Sequence, residues 1–251
     1  HWRPDTVLDL EGEGKKLHDE PLTVVDPVDP NRNVAAALTL DKMLLFSAAS
    51  RSFLDLPSLE FFFPREDEPL SDEEAQARMD ARGTMPLILQ FQAPDVVEDV
   101  LYPQMRKAEE SIRALLTRKG FLILRSDVLA YRDRAVMLFE MEGWELSRAC
   151  RRTGPPVWEA EHVARFLAVH PHPLSGPYIK EGRVVVEESR KHNCARDLLA
   201  AELEGLSLGK HLSEAIRRGH KIYAGQEILE IRDREFRIFL AQYLDARAPI
   251  Y

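Results

Sequence analysis

The amino-acid sequence predicts an α+β fold, and three features of the chain lead to that prediction. Between residues 87 and 142, short apolar runs and one long helical pattern follow the order strand, helix, strand, strand, which is typical of a compact sandwich of helix on sheet. Amphipathic helical patterns precede and follow this central region. The 251 residues are enough for one large domain or two smaller ones, each with a hydrophobic core.

The first predicted helix follows a turn rich in aspartate and proline. An apolar strand at residues 22–25 runs into two Asp-Pro pairs, and proline disfavours the helical conformation in the residue before it. Asp29 is therefore a candidate N-cap, and Pro30 a candidate first residue of a helix over residues 30–54. Thr39 is a candidate cap for the second part of this helix.

This prediction places Arg32 and Asn33 in the first helical turn. Free backbone N–H groups and the positive end of the helix favour an anion there, and an arginine adds a planar set of donors. The plainer alternative is a stiff turn with a solvated arginine. A metal site at Asp26 and Asp29 is a third possibility, but proline restricts both residues and no third ligand lies nearby in the sequence.

Two further segments are predicted from their composition. The apolar residues that follow the helix are expected to form a buried plug rather than a surface for stacking bases, because each aromatic ring buries a large area. The members of this plug are Phe53, Leu56, Leu59, Phe61, Phe62 and Phe63. Residues 65–82 are acidic, and we expect an exposed linker or a solvated helix there.

The central region is expected to form a compact unit. Residues 87–92, 121–126 and 135–142 are predicted strands, and residues 96–119 are a predicted helix between the first two. Gly120 is the expected stop of that helix, because glycine adopts the left-handed conformation that ends many helices.

The rest of the chain is predicted from turns and helical spacing. The run Gly154–Pro156 is expected to mark a boundary, and Glu181-Gly182 a hairpin turn. Further expected elements are helices at residues 159–169, 193–203, 210–218 and 235–246, a rigid loop at 171–178 and a strand at 228–231.

Composition and charge narrow the class of protein. No apolar run approaches the ~20 residues of a membrane helix, and the first residues are not expected to be a signal peptide. The two cysteines, Cys150 and Cys194, are too few for a disulfide framework, so we expect free thiols and a reducing, cytoplasmic compartment. Residues 1–100 carry 9 Lys and Arg against 21 Asp and Glu, whereas residues 101–251 carry 25 against 21. The more basic part is a candidate for contact with a polyanion.

Several stretches of the sequence resemble the archaeal-type (class I) CCA-adding enzymes. They are Val24–Ala37, Ala48–Leu54, Pro57–Phe63 and Ser175–Tyr178. That family consists of tRNA nucleotidyltransferases that build the 3′ CCA end from CTP and ATP without a nucleic-acid template. The resemblance extends over nearly the whole chain, and the motif at residues 29–36 is its most specific part.

Enzymes of this family are described as head, neck, body and tail, and the resemblance implies how this chain divides. The expected parts are the C-terminal end of the neck (1–64), an acidic linker (65–84), the first part of a compact β-α-β-β body (85–153), a mixed α/β tail (154–231) and a helix that returns to the body (232–251). The partners that the resemblance implies are the upper half and 3′ end of tRNA, CTP and ATP. No membrane contact is expected, and a homodimer of the parent enzyme is an open alternative.

The resemblance also implies candidate sites. Arg32 matches an arginine that helps to read the incoming base, and Asn33 is its candidate helper in nucleotide binding. The candidate tRNA contacts, expected to bind phosphates, are Arg106, Lys107, Arg113, Arg118, Lys119, Lys210, His211, Arg217, Arg218 and Lys221. The alternative for each of them is a solvated helix surface, and Arg113 could simply pair with Glu109 or Glu110.

Catalytic residues are not expected in this chain. In the family, carboxylates on a strand after a Gly-Ser pair hold Mg²⁺, and no such pattern occurs in this sequence. From this missing pattern we expect that the catalytic head lies upstream and that this chain is inactive alone, and the start without methionine also leads us to expect a fragment. The alternative is a stand-alone RNA-binding or scaffold protein with the same body and tail. A zinc site at the histidines is not expected, since prolines flank His170 and His172.

Overall fold

The computed structural model describes residues 21–26, 28–29, 31–35, 38–63 and 67–246. The chain divides into two compact units, one formed by residues 1–67 with 245–251 and the other by residues 68–244. The second unit is the larger one and contains both β-sheets.

The described part of the first unit contains a paired turn and one long helix, α1 (Leu40–Asp55). The prediction of a helix from Pro30 is wrong for residues 31–35, which form a turn, while Pro30 itself lies outside the described residues. The prediction that Thr39 caps a helix is confirmed, because its hydroxyl accepts the backbone N–H of Lys42 at 3.3 Å. The later of the two predicted caps is thus the one that starts the helix.

The aromatic cluster that follows α1 is largely exposed. Phe53 packs edge-on against Phe62, with ring centroids 5.3 Å apart. The prediction of a buried plug is wrong for four of its members, whose exposed fractions lie between 64% and 76%: Leu56, Leu59, Phe62 and Phe63. The described residues of the first unit form α1, a short 3₁₀ helix at Leu59–Phe61 and turns, and none of these elements makes a second layer over these side chains.

The second unit is built from antiparallel strands and from helices that cover them. Its strands are β1 (Met85–Gln92), β2 (Ile123–Tyr131), β3 (Arg134–Met141), β4 (Ala149–Pro156), β5 (Ser175–Lys180), β6 (Arg183–Ser189) and β7 (His220–Ala224). Its helices are α2 (Asp72–Arg82), α3 (Glu98–Arg118), α4 (Ala160–Val169), α5 (Ala195–Glu202), α6 (Lys210–Arg218) and α7 (Arg234–Leu244). Short 3₁₀ helices occur in this unit at Leu203–Gly205 and Gly225–Glu230, and another lies in the first unit at Leu59–Phe61. The predicted α+β class is confirmed.

A four-stranded antiparallel sheet in the order β2-β3-β1-β7, the central sheet, organises this unit. Leu87 and Leu89 of β1 pack in the core formed with α3, α5 and α6, whereas Ile88 packs in a second core with α2 and α7. Helices therefore cover both faces of the central sheet. Burial on both faces explains why β1 and β3 are continuous apolar runs rather than alternating ones.

The predictions for the central region are confirmed, with element boundaries shifted by a few residues. The three predicted strands correspond to β1, β2 and β3, and the long predicted helix to α3. Gly120 follows the end of α3 with a φ of +101°, as expected of a helix stop. The acidic segment forms a helix from residue 72, and α2 begins with a capping box between Ser71 and Glu74. Ala75 on the inner side of α2 is fully buried.

Strand β7 is the largest departure from the predicted order of elements. The prediction of a strand at residues 228–231 is wrong, because residues 225–230 form a 3₁₀ helix. The strand lies earlier in the chain, where Ile222 of β7 pairs with Leu89 of β1. The sequence signal was weak because β7 is only five residues long, begins with two exposed polar residues and follows α6 directly.

A second sheet of three strands, in the order β4-β6-β5, packs against α4. The predicted boundary at Gly154–Pro156 is wrong, because these residues form the end of β4, and the predicted loop at 171–178 gives way to β5 at Ser175. The ring of Phe166 lies directly over Gly154, where a Cβ atom would come within 2.8 Å of it. The predicted hairpin turn at Glu181-Gly182 is confirmed, with φ values of +50° and +72°.

The chain leaves the central sheet and returns to it at adjacent positions. Glu145, just after β3, and Cys194, just before α5, form an isolated antiparallel bridge. Beside this bridge, the N–H of Leu146 donates to the carbonyl of Asn193 at 2.8 Å. The small sheet is therefore an insertion between β3 and α5 whose two ends are fastened together.

The later helices and the two cysteines agree with the sequence predictions. The four later helices are confirmed as α4, α5, α6 and α7. Both cysteines are free thiols, as predicted. Among the described residues, no helix is long and apolar enough to cross a bilayer.

Candidate functional site

The Asp-Pro turn of the first unit is held together by the side chain of Asn33. Its Oδ1 accepts the N–H groups of Val24 at 2.8 Å and Ala35 at 2.9 Å, and its Nδ2 donates to the carbonyl of Leu22 at 3.0 Å. Asn33 is buried, and Val25 bridges to its backbone. Asparagine side chains compete in this way with helical hydrogen bonds, which explains why a turn and not a helix forms here.

Arg32 projects from this anchored turn towards solvent. Its Nη1 lies 3.4 Å from Oδ2 of Asp26, and its side chain is 67% exposed against 18% for that of Asp26. The prediction that Arg32 lies in a first helical turn is wrong, because α1 begins only at Leu40. An aspartate, and not the positive end of a helix, is therefore the group that neighbours this guanidinium.

The carboxylates of the two aspartates in the turn accept hydrogen bonds from backbone N–H groups. Oδ1 of Asp26 accepts the N–H of Val28 at 2.9 Å, and Oδ1 of Asp29 accepts the N–H of Asn31 at 3.1 Å. Within the described residues, no group of three or more His, Cys, Asp or Glu could hold a metal ion. The metal alternative for Asp26 and Asp29 is therefore not supported.

The basic residues predicted on α3 divide into two classes. Arg106 places Nη1 at 2.8 Å from Oδ1 of Asp127, and Arg113 places Nε at 3.5 Å from Oε1 of Glu109. The alternative that Arg113 pairs with Glu109 is thus confirmed. The exposed cations of this helix and its C-cap that form no ion pair with another described residue are Lys107, Arg118 and Lys119.

Helix α6 presents a second group of exposed cations on the same side of the central sheet. Leu212 and Ile216 bury its inner side in the core that α3 also lines. Its outer side carries Glu214 together with four residues that form no ion pair with another described residue, namely Lys210, His211, Arg217 and Arg218. The three cations on α3 and these four residues on α6 are called the cationic face below.

The two helices of the cationic face lie next to each other. A Cβ atom placed at Gly209, the residue before α6, would lie 3.8 Å from Oε1 of Gln104 on α3. Lys107 follows Gln104 by one helical turn, and Arg118 follows Lys107 by three turns on the same side of α3. The structure therefore places next to each other two helices that carry predicted tRNA contacts and lie about 100 residues apart in the sequence.

Lys221, the last predicted tRNA contact, lies on β7 and already has partners. Its Nζ is 2.9 Å from Oε2 of Glu230 and 4.3 Å from the centre of the Tyr223 ring. The hydrogen bond to Glu230 raises the pKa of Lys221, so the ammonium group stays charged.

A buried carboxylate in β3 was not predicted from the sequence. Glu140 is 2% exposed and accepts hydrogen bonds from Arg82, Thr84 and Arg125. Burial alone would raise the pKa of Glu140, but the hydrogen bonds outweigh this effect and hold it below its ordinary value. A glutamate inside an otherwise apolar strand was the one signal in the sequence that could have revealed it.

Comparison with known proteins identifies the family. The protein-family model described as "CCA-adding enzyme, C-terminal domain" matches residues 82–225. The family model described as "tRNA nucleotidyltransferase, second domain" matches residues 1–63. The chain belongs to the CCA-adding enzyme family. The resemblance seen in the sequence motifs is thereby confirmed. The Asp-Pro turn lies within the residues that match the second domain of the family. The cationic face lies within the residues that match its C-terminal domain.

Curated CCA-adding enzymes from several organisms are similar to this chain. The enzyme of Methanosarcina mazei is 37% identical over 245 residues, that of Methanothermobacter thermautotrophicus 38% over 250, and that of Haloarcula marismortui 32% over 263. These alignments cover 97–98% of this chain but 54–56% of the relatives. The chain therefore spans about half the length of these CCA-adding enzymes and corresponds to a C-terminal portion of one.

Proposed function

We propose that this chain is the tRNA-binding and nucleotide-selecting portion of an enzyme that adds C, C and A to the 3′ end of tRNA. CTP and ATP are the substrates of that enzyme, and no nucleic-acid template directs the addition. Membership of the CCA-adding enzyme family supports the activity of the whole enzyme. The cationic face is the observation that carries the role of this portion.

Exposed cations without an ionic partner are the groups that a phosphate backbone can use most readily. Binding of phosphates to them releases condensed counterions from the nucleic acid, and no protein ion pair has to be broken first. Lys107 and Arg118 on α3 and Lys210 and Arg217 on α6 offer such groups on two adjacent helices. Contacts of this kind hold an RNA strand in place without reading its sequence.

Recognition of the backbone suits the task of accepting every tRNA. The bases of an A-form helix are poorly accessible in its deep groove, so proteins recognise such RNA by its shape and by phosphate and 2′-hydroxyl contacts. The predicted cations that are already paired are Arg106, Arg113 and Lys221, and they are expected to contribute less than the cationic face. A phosphate would have to compete there with Asp127, Glu109 or Glu230.

Arg32 is proposed to read the base of the incoming nucleotide. Its exposed guanidinium offers several N–H donors in one plane, which suits the acceptor atoms on the edge of a base. Asn33 has a different role in this proposal, because its amide is committed to Val24, Ala35 and Leu22. It anchors the turn that presents Arg32.

Mg²⁺ is not assigned to residues of this chain. When bound in the parent enzyme, the metal would neutralise charge on the reacting phosphates. The described residues do not fit such a site, since the carboxylates of Asp26 and Asp29 accept backbone N–H groups and no cluster of ligands is present among them.

The first test is the binding of this chain to a tRNA that lacks its CCA end, measured across a salt series. We expect the logarithm of the affinity to fall steeply with the logarithm of salt concentration, because several phosphates are contacted. We also expect tighter binding to tRNA than to a DNA duplex of equal charge. Failure to bind tRNA even at low salt would contradict the proposal.

A matched pair of variants tests the cationic face itself. The variant with Lys107→Gln and Arg218→Gln removes two unpaired cations, whereas Arg106→Gln with Lys221→Gln removes two cations that already have carboxylate partners. Both variants change the net charge equally. The first should lower the salt slope by about 2, and the control should lower it by less than half as much. Equal losses would show that overall charge and not the cationic face governs binding.

A further inference from the structure

Asp26 uses its two carboxylate oxygens for two different partners. Oδ1 accepts the N–H of Val28 at 2.9 Å, and Oδ2 lies 3.4 Å from Nη1 of Arg32. The side chain of Asp26 is mostly buried, whereas that of Arg32 is mostly exposed. The less mobile partner of this ion pair is thus the aspartate, and it lies against the base of the turn.

The backbone on which this pair stands is fixed independently of the pair. The N–H of Asp26 donates to the carbonyl of Arg32 at 3.0 Å, and the N–H of Val34 donates to the carbonyl of Val24 at 2.9 Å. The amide of Asn33 fastens the same two stretches. These contacts place the Cα atom of Arg32 but leave its long side chain free to rotate.

We propose that Asp26 is a positioning residue that fixes the direction of the Arg32 guanidinium for selection between nucleotides. This inference rests on the proposed role of Arg32 as the group that reads the incoming base. Asp26 holds one terminal nitrogen of the guanidinium, so the remaining N–H donors point in a set direction from the turn. Asp26 itself touches no substrate in this proposal.

A fixed guanidinium discriminates better than a free one. A rotating arginine can reach acceptor atoms on many base edges, whereas a held one pairs well only with a base whose acceptors match its direction. Loss of the carboxylate is therefore expected to affect the choice between nucleotides more than the rate with a correct nucleotide at saturation. The binding of tRNA should not change.

The experiment uses the full-length enzyme with Asp26→Asn, which keeps an acceptor for the Val28 N–H but loses the negative charge that faces Arg32. Asp29→Asn is the matched control, because among the described residues the Asp29 carboxylate accepts the N–H of Asn31, while the backbone carbonyl that accepts the N–H of Arg32 is unchanged by the substitution. We expect Asp26→Asn to lower the ratio of kcat/KM for CTP over UTP by about fivefold, the scale of one exposed ion pair. The selectivity of the Asp29→Asn control should stay at the wild-type value. In Asp26→Asn, the KM for tRNA and the melting temperature should also stay at wild-type values.

The same change made in an Arg32→Ala background separates this inference from the proposed function. If Asp26 acts through Arg32, Asp26→Asn has no further effect there, and Asp26→Glu in the wild-type background restores part of the selectivity. Wild-type selectivity in Asp26→Asn, together with a defective Arg32→Ala, overturns the role of Asp26 but leaves the role of Arg32. The role of Asp26 is also overturned if Asp26→Asn lowers selectivity as much in the Arg32→Ala background as in the wild-type enzyme. Wild-type selectivity in Arg32→Ala overturns the reading of the base by Arg32.

Discussion

Arg82 at the end of α2 and Glu140 in β3 form a two-pronged ion pair, with Nε 2.5 Å from Oε1 and Nη2 3.0 Å from Oε2. The two residues are 58 positions apart in the chain. The carboxylate also accepts Nε of Arg125 on β2 at 3.1 Å. One buried charge thus joins a covering helix to two strands of the central sheet.

Replacement of Glu140 by glutamine should destabilise the second unit. The amide cannot satisfy two guanidinium groups, and a charged acceptor for Arg82 and Arg125 is lost, so we expect the free energy of unfolding to fall by about 2–3 kcal/mol. Urea denaturation of the chain measures this change. Glu142→Gln is the control, since Glu142 is exposed and its replacement should change the free energy by about 0.5 kcal/mol or less. Similar effects of the two variants would show that the buried cluster adds little stability.

Acid should weaken the same cluster. The pKa of Glu140 in the folded protein lies below its ordinary value of 4.5, so the carboxylate contributes its full stabilisation above that value. This contribution is lost as the pH falls below about 4.5 and through the folded-state pKa. The difference in unfolding free energy between wild type and Glu140→Gln should therefore be constant near pH 7. It should shrink as the pH is lowered below 4.5. A difference that is independent of pH would contradict this assignment.

Gly154 should not tolerate a side chain. A Cβ atom there would come within 2.8 Å of the Phe166 ring, so Gly154→Ala must displace this ring, which packs from α4 onto β4. We expect a loss of about 1–2 kcal/mol in the free energy of unfolding, as in other overpacked sites. Gly205→Ala is the matched control, because nothing lies within 4 Å of the corresponding position. Hydrogen exchange in α4 would show whether the loss is local to that helix.

Arg32→Ala in the full-length enzyme should lower nucleotide selectivity more than tRNA affinity. The side chain is exposed at the tip of a turn that Asn33 fastens, so its removal should leave the turn intact. Misincorporation of UTP in place of CTP is the measurement, with the tRNA dissociation constant determined in parallel. Arg51→Ala, an exposed arginine on α1 of the same unit, is the control. Equal losses of selectivity and of tRNA affinity would argue against a role in reading the base.

Elements that depend on local patterns could be predicted, whereas those that depend on distant pairing could not. The series β1, α3, β2 and β3 was visible because each element carries its own apolar period and its own stop signal, such as Gly120 after α3. Strand β7 was missed because it forms by pairing with the edge of β1, which lies more than 100 residues earlier in the chain. Local propensity holds no information about such a partner.

The same distinction applies to the candidate site. The pair between Arg113 and Glu109 spans four residues of one helix and was foreseen as an alternative, whereas the pair between Arg106 and Asp127 joins a helix to a strand and was not. By residue type, both Asp29 in the Asp-Pro turn and Thr39 after it were candidate helix caps. The outcome there depends on the amide of Asn33, which binds backbone groups on both sides of the turn.

The bridge between Glu145 and Cys194 has a consequence for how the two sheets can change. Paired residues in such a bridge have Cα atoms only about 5 Å apart, a gap that a tight turn can close. The chain between them therefore leaves the central sheet and returns to nearly the same point. This segment contains β4, α4, β5 and β6. A change of length within this segment is therefore expected to leave the register of β7 on β1 unaltered, because separate residues set that register.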